Sequence, residues 1–138
     1  MAFRGYIVKF GFIVLPHKYL AQNPIITPCQ RTELHAYRDA NGELHRVTID
    51  NPKTKIEIVT LPLTLAEKTE IETAMNAGLI NALERKFFVE YWNDDPTVNG
   101  GVGYRSGYFY LADVSYTYER ITTNSIDYGA ITYTFIEY

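Results

Sequence analysis

Only one stretch of this chain, Thr64 to Ala77, spaces its apolar residues with a helical period; the other regular stretches alternate. From Tyr108 to Glu119 one face carries Tyr108, Tyr110, Ala112, Val114, Tyr116 and Tyr118, and the other Phe109, Leu111, Asp113, Ser115, Thr117 and Glu119. Ala130 to Tyr138 alternates again, with Ile131, Tyr133 and Phe135 on one side. So does Lys55 to Leu61, with Ile56 and Ile58 opposite Lys55 and Glu57. A period of two is that of a strand with one buried face. About seven such strands beside a single helix predict a mainly β, α+β fold: an antiparallel β-sandwich or half-barrel with one flanking helix.

The remaining elements follow from local chemistry. Tyr6 to Leu15 is β-branched and aromatic, stops at Pro16, and reads as a strand with Gly11 as a bulge. Pro16, Pro24 and Pro28 make 16–28 a loop, because proline lacks the amide a ladder needs. Thr64-Leu65-Ala66-Glu67 fits a capping box, Ile71, Ala74 and Met75 form the buried stripe, and Gly78 stops the helix. Lys86 to Trp92 is strand-like and 93–107 is a Gly-rich turn region.

The clearest turn is Asp39-Ala40-Asn41-Gly42, flanked by the polar arms of a hairpin over 31–49. Its arms carry Glu33, His35, Arg38, Glu43, His45 and Arg46. A two-stranded ribbon with so little apolar surface is marginal alone, so it must lie on its own domain or on a neighbouring subunit.

The 138 residues fit one domain, 1–138, with 46% hydrophobic residues and room for a core. The single cysteine, Cys29, makes no internal disulfide and reads as a packed or incidental thiol. The apolar run of the N-terminus is broken by Arg4, Lys9 and Gly11, which fits neither a secretory leader nor a membrane span and predicts a soluble protein made in the cytoplasm. A net charge of −3 argues against nucleic-acid binding. The charge is uneven: 1–60 is net +3 and 61–138 net −6, which reads first as chance variation on a solvated surface and, more sharply, as two oppositely charged ends suited to stacking or ring assembly.

No residue set announces catalysis, a cofactor or a metal. Gly100-Gly101-Val102-Gly103 runs toward a strand rather than into the helix a phosphate loop opens. Asp94-Asp95 beside Pro96 are turn residues. Ser106, Ser115 and Ser125 lie in no nucleophile elbow. His35 and His45 are expected as near cross-strand neighbours, with no Cys, Asp or third His to complete a zinc shell. Eight of the 12 tyrosines fall in the last 35 residues. They read first as sheet packing, then as a subunit interface, then as a ligand platform.

The order of parts resembles proteins of the siphophage tail-tube fold: the tail tube subunit, the distal tail protein and small tail-tip proteins. The resemblance is carried by Gly5–Leu15, the polar hairpin before a strand, the helix Thr64–Ala77 followed by Phe87-Phe88-Val89-Glu90-Tyr91-Trp92, a Gly-rich tip leading to Ser106-Gly107-Tyr108-Phe109-Tyr110, and the closing strand Ala130–Tyr138. It implies a non-enzymatic virion protein, assembled in the bacterial host cytoplasm. Such a protein forms a ring with itself, typically a hexamer, and stacks on adjacent tail proteins, while the genome slides through the lumen without sequence-specific binding. A full distal tail protein carries a second domain for which 138 residues leave no room. The expected inter-subunit contacts are the hairpin, with Tyr37, Asn41, Gly42, His45 and Arg46, and the Gly-rich tip, with Asn99, Gly101, Tyr104 and Arg105. The alternative is a small carbohydrate-binding β-sandwich module using Trp92 and exposed tyrosines.

Overall fold

The computed structural model describes residues 3–30, 33–48, 53–97 and 100–138, with backbone only at 29–30, 33–35 and 47–48. Cys29 and His35 therefore have no described side chain, and Asn99 lies outside the described residues.

The chain opens with β1 (Val8–Phe10) and β2 (Ile13–Val14), then a 3-10 turn at His17–Tyr19 and β3 (Ile25–Gln30). β4 (Glu33–Arg38) and β5 (Leu44–Thr48) form the hairpin, and β6 (Lys53–Val59) and β7 (Leu63–Thr64) lead into α1 (Leu65–Asn76). After the helix come β8 (Leu79–Asn81), β9 (Lys86–Asn93), β10 (Gly103–Leu111), β11 (Tyr118–Ile121), β12 (Ile126–Tyr128) and β13 (Thr132–Glu137). Seven of these strands have five residues or more; the others are short pieces.

Every pairing is antiparallel. The large sheet runs β2-β1-β9-β10-β13-β6-β3, with β8 also on β9; β11-β12-β7 form a small sheet and β4-β5 a separate ribbon. One face of the large sheet supplies Val8, Phe10, Ile56, Ile58, Phe87, Val89, Phe109, Tyr133 and Phe135 to the core. Ile71 and Met75 of the helix and Leu63 and Tyr128 of the small sheet close over them. The fold is thus a mainly β, antiparallel sandwich with one flanking helix, as the alternation predicts.

The helix is where its sequence puts it. Thr64 Oγ1 accepts from the Glu67 amide while Glu67 Oε1 accepts from the Thr64 amide, completing the capping box. Among the described residues no helix is long and apolar enough to cross a membrane.

Four sequence expectations are corrected. Tyr6–Leu15 is two short strands folded on each other, with Gly11 at φ +58° in the turn rather than in a bulge. The Pro-rich 16–28 contains the start of β3, an edge strand, which tolerates Pro28 where a central strand would not. The Gly-rich turn is shorter than 93–107, since β10 starts at Gly103. The alternation from Tyr108 to Glu119 is not one strand: β10 ends at Leu111, and 112–117 is an irregular connection to β11 of the small sheet.

Candidate functional site

The hairpin lies in sequence between the two strands of the edge pair β3 and β6. Gln30 pairs with Lys53 at the end of the β3–β6 ladder, and Glu33 pairs with Thr48 at the start of β4–β5. In sequence the ribbon sits within this edge pair, and its strands span roughly 20 Å at about 3.3 Å per residue. Among the described residues neither arm strand pairs with either sheet. From Ala36 to Arg46 every side chain is exposed except Asp39, which is half-buried.

Local hydrogen bonds shape the arm's tip. The Gly42 amide donates to the Asp39 carbonyl and the Asp39 amide to the Glu43 carbonyl. Gly42 sits at φ +81°, the left-handed position of a three-residue hairpin loop. Asp39 Oδ1 accepts from the Asn41 and Glu43 amides, and Arg38 donates to the Gly42 carbonyl. Asp39 Oδ2 lies 2.9 Å from His45 Nε2, and the Tyr37 and His45 rings stack 4.9 Å apart. The His45 hydrogen bond, then the Glu43 amide, holds the Asp39 carboxyl below its ordinary range.

The register corrects the histidine expectation. His45 stands opposite Tyr37, and His35 opposite Val47, because the turn centres on Asn41. A carboxylate does flank His45: Asp39, Glu43 and His45 each bring a ligand atom within 4.8 Å of the others, a spacing a cation could bridge. The sequence signal was the placement of Asp39 and Glu43 either side of a turn that aims both at His45.

The second expected contact region is the β9–β10 tip. Asn93 is fully buried; its amide donates to the Asp95 and Gly101 carbonyls, and its Oδ1 accepts from the Asp95 amide. Gly101 takes φ +66° there, and Arg105 reaches its carbonyl at 3.5 Å. Tyr104 is engaged in an aromatic cluster with Phe3, Tyr6 and Trp92, and its hydroxyl bridges the Arg4 amide and the Tyr6 carbonyl.

Cross-strand rows place arm and tip at the same end of the large sheet. Lys55, Ile136 and Tyr110 share one row. Moving from that row toward Lys53 and the arm moves β10 toward Gly103 and the tip. The structure thus puts Tyr37, Asn41, Gly42, His45 and Arg46 on the arm and Gly101, Tyr104 and Arg105 beside the tip.

The tyrosines face the other way from the first expectation. Phe109 is the buried residue of β10, whereas Tyr108 is 47% and Tyr110 37% exposed. With Phe88, Tyr138 and Lys86, whose ammonium sits 4.8 Å from the centroids of the Tyr108 and Tyr138 rings, they line the outer face of the sheet. Tyr133 does pack inward. Its hydroxyl and that of Tyr116 donate to Glu72 Oε2, whose other oxygen takes Lys68. Glu72, Tyr116 and Tyr133 line a cavity of about 200 Å³ with Met75, Asn76, Phe87 and Leu111.

The fold and arm define an antiparallel β-sandwich that holds an extended two-stranded ribbon clear of its own core. The chain belongs to a family of unknown function (DUF6711), whose model matches residues 1–138. Searches of the curated proteins and of the solved structures found no match.

Proposed function

We propose that this chain is a non-enzymatic structural subunit of the tail of a long-tailed bacteriophage. It joins copies of itself, six in the form the resemblance implies, into a ring in the tail or tail tip around the genome's channel, and stacks on adjacent tail proteins. The phage context rests on the resemblance in element order. The assembly role rests on one observation: an arm whose described side chains, 36–46, are exposed or half-buried and whose strands, among the described residues, pair with neither sheet. A ribbon of that kind is marginal unless a partner covers it. The exposed aromatic face of the large sheet adds a second contact surface of the composition interfaces favour.

Light scattering behind size exclusion, with negative-stain microscopy, tests the reading. The expected result is a closed oligomer at high concentration. Replacing 36–44 by a short glycine turn is expected to leave the melting temperature in place and the protein monomeric. A wild-type chain that stays monomeric, alone and with neighbouring tail proteins, would sink the proposal.

Tyr108, Tyr110 and Tyr138, side by side on an exposed sheet face, favour a second reading as a glycan-binding module. Trp92 does not carry it: its Nε1 donates to Asp94, and Phe3 and Tyr104 crowd it edge to face. A blank glycan array would remove this reading.

A further inference from the structure

One edge of the large sheet is apolar where it meets water. β10 pairs along the whole of one side of β9, so β1, with β2 outside it, and β8 share the other side. There Phe12, in the β1–β2 turn, is 92% exposed, Leu83, in the β8–β9 turn, 95%, and Ile80 of β8 58%. Ile13, Val14 and Leu79 are exposed as well. Together these side chains leave roughly 600 Å² of apolar surface in water, at about 150–200 Å² for each when wholly exposed. The largest apolar patch of a monomer is commonly about 300–600 Å². One partner of a stable interface covers about 800 Å², so most of that area is already present on this edge.

The edge is hollowed as well as apolar. Phe12, Ile80 and Phe88 line a hollow of about 300 Å³ with Ala77 and Gly78. Ile13, Pro16, Ala74 and Ala77 line a second, of about 640 Å³. Both adjoin the C-terminal end of α1, whose last turn has no basic side chain and whose dipole favours a cation. The arm offers a matching face. Cross-strand partners share a face. The pairs Arg38–Leu44 and Ala36–Arg46 therefore set Leu44, 51% exposed, among two arginines and an alanine.

We infer that this apolar edge receives the arm of a second copy, with Leu44 filling the hollow beside Phe12 and Ile80 while Arg38 and Arg46 meet the helix end. The inference rests on the assembly reading above and names its receiving surface. The topology agrees. The arm joins β3 to β6 in sequence, and these strands lie at the opposite edge of the large sheet from β2 and β8. A contact from one edge of a copy to the other edge of the next is heterologous. It repeats from copy to copy and closes into a ring when the rotation allows.

Two altered chains test this together. Phe12→Ser with Leu83→Ser spoils the edge at two side chains that stand almost wholly in water, and keeps the arm. The chain with 36–44 replaced keeps the edge and loses the arm. Each alone is expected to melt like the wild type and to run as a monomer at concentrations where the wild type assembles. Mixed, they are expected to form a one-to-one dimer that grows no further, because one arm and one edge remain between them. Normal assembly of the Phe12→Ser, Leu83→Ser chain, or a mixture that stays monomeric, overturns the inference. Should that chain unfold, Leu44→Ser decides, since Leu44 lies outside the core. It is expected to raise the concentration of half-assembly about tenfold, and an unchanged value overturns the inference. Assembly lost on arm replacement but kept without the edge leaves the assembly reading standing and removes this edge. An edge variant that assembles but no longer binds a neighbouring tail protein gives the edge to that protein instead. A wild type that never assembles removes both readings.

Discussion

Gly78→Val is expected to lower the melting temperature by roughly 10 °C or more, from a loss of about 3 kcal/mol at about 3–5 °C per kcal/mol for a domain of this size. Gly78 follows the helix, where three backbone segments meet. The Phe88 amide donates to the Gly78 carbonyl at 2.7 Å, and the Gly11 amide donates to the Phe88 carbonyl at 3.1 Å. A Cβ on Gly78 would sit 2.6 Å from the Phe88 carbonyl oxygen and 3.1 Å from the Gly11 nitrogen. Those atoms are main chain of a central strand and of the β1–β2 turn, so neither moves without breaking the ladder. Gly42→Ala is the contrast. It has the less tolerated φ, but nothing lies within 4 Å of its Cβ, so its cost is confined to about 1–2 kcal/mol of left-handed strain. Thermal melts of the two variants separate crowding from backbone strain. A Gly78→Val protein that melts like the wild type would show that the helix end is free to retreat.

The sequence made these elements legible in unequal measure. α1 was readable because everything that starts it lies within four residues: Thr64 and Glu67 cap each other. β6 and β13 were readable because Ile56, Ile58, Ile131, Tyr133 and Phe135 alternate against polar partners. The arm's turn was readable from Asn41-Gly42, although only Gly42 takes positive φ. The tyrosine stripe was not. Both faces of Tyr108–Glu119 contain large apolar groups, so periodicity showed two faces without saying that Phe109, not its tyrosine neighbours, would meet the core. Nor does alternation reveal that β10 ends at Leu111, since the sequence of the connection that follows alternates like a strand. Of the candidate site, the arm was legible from its polarity.

Glu72 depends on distance in sequence most of all. It joins α1 to Tyr116, 44 residues on, and Tyr133, 61 residues on. Glu72→Ala should cost about 2–3 kcal/mol, because the buried Tyr133 hydroxyl then loses its charged acceptor. Tyr133→Phe should cost only about 1 kcal/mol, since Glu72 keeps Lys68 and Tyr116. The Ala substitution should therefore be milder in the Phe background than alone, a coupling a double-mutant cycle reads directly. Burial alone would push the Glu72 carboxyl up, but Lys68, Tyr116 and Tyr133 outweigh it and hold the carboxyl below its ordinary range. A carboxyl lowered in the folded state contributes stability that is fully present above its ordinary value of 4.5 and is lost as pH falls through the folded value. Glu72→Gln cannot titrate, so its deficit relative to wild type should shrink as pH drops below that value. The tyrosines work at the other end. Burial, then Glu72, pushes the Tyr116 hydroxyl up to about 12, and the same two causes push Tyr133 up as well. The folded state holds both as neutral donors, so their contribution is intact below the ordinary tyrosine value of 10 and is lost as pH rises through the folded values. Denaturation midpoints across both limbs decide the matter. A constant gap between wild type and Glu72→Gln under acid, or additive single substitutions in the cycle, would mean that helix and sheet are held by packing alone.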